Sequence, residues 1–216
     1  MGESFLFSRT DAAWKAKRQA CSHAFYKGKL EMMLEVMKDL LEARFEKWLA
    51  SARSSPDKTT VIDISEEHLD LMSRNIIKIS FGEDINDELF EISVRKTKTG
   101  SEFVKKEVTM AFALQEIIEQ HLATYGPKLM NPLRQLNLMD FSSKWTAYQR
   151  EVQKNCFTVR QKIRTYIRDR QSGKRQSKVN NKSDILSMFF ENPDVFTEDF
   201  MVDELVDFFI AGSQTI

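Results

Sequence analysis

DELVDFFIAGSQTI, residues 203–216, opens as an apolar helix and then departs from its own pattern. With Phe200 and Val202 before them, Leu205, Phe208, Phe209 and Ile210 make a helix apolar on several sides, which must be buried. Thr197, followed by Glu198 and Asp199, reads as its N-cap. Ala211-Gly212 then removes side-chain bulk in mid-helix, at about 1 kcal/mol for the glycine. Ser213, Gln214 and Thr215 place three polar groups directly after the apolar run. Two readings stand: a crossing of small residues against another helix, or a helix thinned so that a planar or small ligand lies against its backbone. In the second, the hydroxyl and amide groups would handle protons beside that ligand. No Gly, Asn or Pro stop signal follows the pattern before Ile216, so the sequence is expected to be cut short.

Near the other end, Ser8 with Asp11 reads as a capping box for a helix running through Trp14 to about Tyr26. Trp14, Arg18, Cys21 and Phe25 fall at i, i+4, i+7 and i+11 and share a face. An arginine within an apolar stripe is costly unless a carboxylate or phosphate meets it. It either snorkels or pairs with an acid from another helix, or it receives the anionic group of a ligand with the Trp14 indole N–H as a second donor.

The segments between are helical by period. Leu30, Met33, Leu34, Met37, Leu40, Leu41, Phe45, Trp48 and Leu49 line one stripe of a helix over about 27–52. A loop at 51–60 and a short strand VIDI (61–64) precede a third helix. That helix starts near Ser65, turns Leu69, Met72, Ile76 and Ile79 inward, and stops at Gly82. A fourth is expected over 100–123, with Phe103, Met110, Leu114, Ile117 and His121 inward. A fifth covers about 142–171, with Trp145, Tyr148, Val152, Cys156, Val159, Ile163 and Ile167 on one side. Residues 172–183 form a polar linker, 184–190 a short helix and 191–194 a turn.

Composition agrees with a mainly α chain. Among 216 residues there are 7 Gly and 4 Pro, too few for an all-β fold, with 42% hydrophobic and 30% charged residues. Thirty-two basic and 32 acidic residues cancel, so no global charge draws the chain to nucleic acid. The basic run Arg160–Lys182 holds a single aromatic, Tyr166, and reads as a solvated helix end. Two cysteines exclude a disulfide scaffold, and His23, His68 and His121 make no ligand cluster. EDINDE (83–88) lacks the glycine and distal acid of a calcium loop. No run approaches the roughly 18 apolar residues of a membrane span, and MGESFLFSRT (1–10) lacks the apolar stretch of a signal peptide, so residues 1–216 are expected to carry neither anchor nor signal peptide.

Taken together, three segments resemble the cytochrome P450 monooxygenases. SFLFSRTDAAWKAKRQACSHAF (4–25) is similar to the C-helix region, with Trp14 and Arg18 as its W-x-x-x-R pair. HLDLMSRNIIKISFGEDIN (68–86) resembles the E-helix with its terminal Phe81-Gly82 pair, and 203–216 resembles the I-helix. Their order and spacing also fit. The resemblance implies one partial domain over 1–216, running from helix C to the middle of helix I and truncated at both ends, with an F–G loop at 124–141.

It implies a haem cofactor whose propionate contacts Trp14 and Arg18, with Ala211 and Gly212 over the haem face. Thr215 becomes the threonine that hydrogen-bonds dioxygen and helps deliver protons. Gln214 stands where the family carries an acid, and an amide cannot exchange a proton as a carboxylic acid does. The implied activity is insertion of one oxygen atom from dioxygen into an apolar organic substrate. Its partners are a redox protein (an NADPH-dependent reductase or a ferredoxin) and that apolar small molecule, with no nucleic acid.

The apolar 129–141 segment suits peripheral membrane contact, with the intact protein on the cytoplasmic face of the endoplasmic reticulum. Lys15 and Lys17, facing outward, would be docking charges, and Phe103, Met110, Phe208 and Phe209 pocket residues. The thiolate that ligates the iron sits in a Phe-x-x-Gly loop that is not in this sequence, so residues 1–216 alone are expected to be inactive. Cys21 and Cys156 read as core thiols. The alternative is a cofactor-free helical interaction or scaffold protein.

Overall fold

The structure, a computed structural model, describes residues 4, 9–22, 27–86, 88–97, 102–129, 147–179 and 184–214; for 27–29, 121–129, 147 and 214 it describes the backbone only. These residues form two compact units, one of 1–85 with 169–216 and one of 86–168.

The first unit is all helical: α1 (Ala12–Ser22), α2 (Lys27–Ser54), α3 (Ile64–Phe81) and two C-terminal helices introduced below. Helix α1 is capped by Asp11, whose Oδ1 accepts the Trp14 N–H at 2.8 Å. The expected cap, Ser8, lies outside the described residues, as do His23 and Phe25. Asp63 caps α3 by accepting the Ser65 and Glu66 N–H groups. Ile64 already belongs to that helix and Val61 is fully exposed, so VIDI forms no strand. A polar side chain poised to cap a helix prevails over a four-residue apolar run with no partner strand.

Gly82 ends α3 in the left-handed region, φ +76°, its N–H donating to the Lys78 carbonyl at 2.9 Å. Leu71, Ile77, Ile79 and Phe81 are the buried apolar residues of α3, while the expected Leu69, Met72 and Ile76 are half-buried. On α2 the expected stripe is largely uncovered. Leu34 is 67% exposed and Phe45 51%, whereas Met32 and Val36 are buried. Arg44 of α2 reaches Glu67 and Asp70 of α3, and Arg74 joins Asp70 to Asp84, giving a chain of ion pairs along that crossing.

The polar residues after the fifth helix fold back onto α3. The Lys178 N–H donates to the Gly82 carbonyl at 2.8 Å, and Arg175 meets Glu83 at 2.9 Å. The last two helices are numbered here after those of the second unit, as α6 (Ile185–Phe190) and α7 (Glu198–Gln214). The buried Asp184 caps α6 through the Ser187 N–H at 2.8 Å and pairs with Arg170 at 3.2 Å. Thr197 caps α7, accepting the Phe200 N–H at 3.3 Å. Phe189, Phe196 and Phe200 form a run of ring contacts at 4.6 and 5.5 Å, which with Ile77, Leu186, Leu205 and Phe209 makes the core of this unit.

The second unit pairs strands β1 (Phe90–Arg95) and β2 (Phe103–Val108), antiparallel, with α4 (Met110–Leu129) and α5 (Ala147–Gln171), whose last three residues belong to the first unit. The fourth helix therefore begins at Met110, and Phe103 stands on a strand opposite Arg95. Period-2 alternation in FEISVR supplies a partner for FVKKEV, and cross-strand pairing prevails over helical period there. Helix α4 also continues through Pro127, beyond its expected end.

A buried polar network fixes the hairpin. Asn155 of α5 accepts the Ser93 N–H at 2.9 Å and donates to the Ser93 carbonyl and to Gln120 of α4. Gln120 donates to Glu116 at 2.8 Å. Val152, Val159, Ile163 and Ile167 are buried on α5, as the period predicts.

Candidate functional site

The sequence-predicted site residues of the first unit sit on α1 and α7. Arg18 is exposed, not buried in an apolar stripe. Its guanidinium lies 5.2 Å from the ring centroid of the half-buried Trp14, and it makes no ion pair among the described residues. The same face carries Cys21, which is buried; the helix turns its C-terminal end into the unit and its middle outward. Burial pushes the Cys21 thiol up to about 12, with Glu204 adding to the rise and Lys17 opposing it. Burial also raises Cys156. Neither thiol is poised to be a thiolate.

Lys17 does not point freely outward. Its ammonium lies 3.9 Å from the Phe200 ring centroid, so α1 packs on the first turns of α7; Lys15 is exposed.

On α7 the two small residues differ. Ala211 is exposed, whereas a Cβ at Gly212 would stand 2.9 Å from Ile76 Cγ1 and Cδ1. Gly212 thus permits the close crossing of α7 over α3. Next to it, Ser213 donates to the Phe209 carbonyl at 2.7 Å. Gln214 has a helical backbone, and Thr215 lies outside the described residues. Of the expected pocket residues, Phe209 is buried and Phe208 half-buried in this unit; Met110 is buried in the other, where Phe103 packs 5.3 Å from Tyr148.

Three acids went unremarked in the sequence: Asp203, Glu204 and Asp207, 5%, 1% and 3% exposed. The signal was available, since carboxylates at i, i+1 and i+4 inside an apolar helix are expensive. Asp207 is raised by burial and by Asp203, against the Ser4 hydroxyl and the N-terminal charge, and its Oδ2 accepts no hydrogen bond among the described residues.

The basic run resolves into ion pairs: Arg170 with Asp184, Lys162 with Glu88, Lys174 with Asp169, Arg175 and Lys178 with Glu83. In EDINDE, Glu83 and Asp84 are used by these cations and Arg74, and Asn86 accepts the Ala111 N–H. Among the described residues no cluster could hold a metal ion and no helix is long and apolar enough to cross a membrane. Residues 130–141 of the expected membrane loop lie outside the described residues.

The described residues thus make a mainly helical protein in which α7 crosses closely over α3 at Gly212 and α1 packs on the first turns of α7. The family model for cytochrome P450 matches residues 1–216, and the chain belongs to that family. No curated protein matches it. Membership makes the intact protein a haem-dependent monooxygenase by family and agrees with the mainly helical fold. The described residues fit a haem: Arg18 offers an exposed cation that pairs with no carboxylate among the described residues, and Ala211 offers a methyl-sized surface.

Proposed function

We propose that the intact protein inserts one oxygen atom from dioxygen into an apolar organic substrate, using electrons from a redox partner. The match to the cytochrome P450 family over the whole chain carries this reading. Haem, when bound, supplies the redox chemistry at iron, and its thiolate comes from a cysteine other than Cys21 and Cys156.

Trp14 and Arg18 hold a propionate, the guanidinium as a charge-assisted donor and the indole N–H as a second. Ala211 would offer the haem a side chain no larger than a methyl on α7, while Gly212 lets that helix cross closely over α3. Thr215 positions a proton donor beside the reacting oxygen. Gln214 could hold a water there but holds no exchangeable carboxyl proton, so Thr215 would be the residue that hands on the proton. The partner is a reductase or ferredoxin meeting the α1 surface at Lys15, and 129–141 rests on a membrane.

The test is expression of the full-length protein. A thiolate-type spectrum of the reduced carbon monoxide complex supports the reading, and its absence from a folded protein overturns it. Arg18→Ala should then lose haem several times faster on dilution with a haem acceptor while keeping its helicity.

A further inference from the structure

The chain that follows α5 reads SGKRQSKV over 172–179. Among the serines and threonines of the sequence, Ser177 alone has cations at both the second and the third position before it, Arg175 and Lys174. Residues 176–178 belong to no helix or strand. Lys174 and Lys178 reach into solvent, each side chain 75% exposed, whereas Arg175 turns back to Glu83 and Asp169. The half-buried Ser177 hydroxyl is loosely held: it accepts the Val179 N–H at 3.3 Å and reaches the Val179 carbonyl only at 3.5 Å. A hydroxyl in irregular backbone with cations just upstream complements a kinase whose peptide groove is acidic.

Ser177 also sits where an added charge has leverage. The Lys178 N–H donates to the Gly82 carbonyl at 2.8 Å, and Arg175 and Lys178 meet the buried Glu83 at 2.9 and 3.4 Å. A Cβ on Gly82 would press on both Ser177 Oγ and Asp184 Oδ2, so these two oxygens are near neighbours. Asp184 is fully buried and its charge is already matched by Arg170. A phosphoryl group carries a charge of about −1.5 to −2 at pH 7. Seated on Ser177, it repels Asp184 and Glu83 and competes with Glu83 for Arg175 and Lys178.

We propose that Ser177 is a phosphorylation site for a serine kinase that selects upstream cations, and that its phosphate releases residues 175–178 from the end of α3. The γ-phosphoryl group passes from ATP to Ser177 Oγ: the P–O bond to ADP breaks, the P–Oγ bond forms, ADP leaves, and the hydroxyl proton goes to the base of the kinase and on to solvent. The fold-back on α3 covers one side of the hydroxyl, so the kinase takes the segment while it is lifted, and the phosphate keeps it from reseating. Neither haem nor the reaction proposed above is involved.

The test incubates the full-length protein with magnesium, ATP and the catalytic subunit of the cyclic-AMP-dependent protein kinase, beside a synthetic peptide of residues 171–179. Mass spectrometry of fragments cut at acidic residues should place a phosphate on Ser177 and find none there in Ser177→Ala. Lys174→Gln should slow the transfer at least about fivefold. Amide hydrogen exchange across 175–179 should run at least about tenfold faster in the phosphorylated protein than in the unmodified one. Phosphate on the peptide but not on the folded protein, phosphate on neither, or phosphate on Ser172 in place of Ser177 overturns the site. Exchange unchanged by phosphate on Ser177 overturns the release. Should Ser177→Ala fail to fold, the position of the phosphate in the unsubstituted protein and the rate in Lys174→Gln decide. These readouts hold whether or not the protein takes up haem, so they stand apart from the monooxygenase reading.

Discussion

Replacing Gly82 by alanine should unfold the first unit far more readily than the same change at Gly173, although both glycines have nearly the same backbone angle. Their φ values are +76° and +77°. An L-residue in that region costs about 1–2 kcal/mol at either site. The surroundings differ. At Gly173 a Cβ meets nothing within 4 Å, whereas at Gly82 it would press on the Ser177 hydroxyl and stand 2.7 Å from Asp184 Oδ2 and 2.9 Å from its Cγ.

Ser177 can turn away, but Asp184 cannot do so cheaply. It is fully buried, pairs with Arg170, takes the Ser187 hydroxyl at 2.8 Å and caps α6. Overpacking adds about 1–3 kcal/mol, so Gly82→Ala should lose about 2–5 kcal/mol and Gly173→Ala about 1–2. Urea unfolding followed by far-ultraviolet circular dichroism measures both through the midpoint at constant slope. Equal losses at the two sites, within about 0.5 kcal/mol on two such measurements, would refute the argument that Gly82 is required by Asp184 rather than by its backbone alone.

Four further outcomes are expected. Gly212→Ala should cost about 1–3 kcal/mol by overpacking Ile76, and Ile76→Val in the same chain should recover part of it; urea midpoints of the single and double variants decide. Arg18→Ala, at an exposed position with no ion pair among the described residues, should change stability by no more than about 0.5 kcal/mol in the haem-free chain, again by urea. Cys21, with its thiol pushed up to about 12 by burial, should resist iodoacetamide at pH 8 in the folded chain and react at the free-thiol rate in urea, read by mass spectrometry. Asp207 is raised first by burial and then by Asp203, so the folded state holds more protons than the unfolded chain just above the ordinary carboxylate pKa. Stability should therefore fall as pH rises through that window, and Asp207→Asn should flatten the fall in urea midpoints measured from pH 4 upward.

Much of the helical framework was legible because its signals are local. Asp63 and Gly82 bracket α3 through a side-chain cap and a left-handed turn, both contained within a few residues. Thr197 and the apolar run after it likewise announce α7. The family followed from three short motifs in order, and the match across 1–216 agrees. Trp14 and Arg18 could be paired from spacing alone, because i and i+4 meet on any helix.

What tertiary structure decided concerns partners distant in sequence. FVKKEV became a strand because FEISVR pairs with it, a choice that helical period within either segment cannot see. Arg18 is exposed and Cys21 buried although they share a face, since burial depends on which turns of α1 meet α7. Gly212 could be read as serving a ligand or a helix crossing, and Ile76, 136 positions earlier and 2.9 Å from its absent Cβ, shows the crossing. Asp207 stood out as a charge within an apolar helix, but only the fold shows that burial leaves one of its oxygens without a hydrogen bond among the described residues. Sequence determines what each residue can do within a turn or two of itself. Which of those capacities is used depends on contacts across tens of residues, and only the folded chain fixes them.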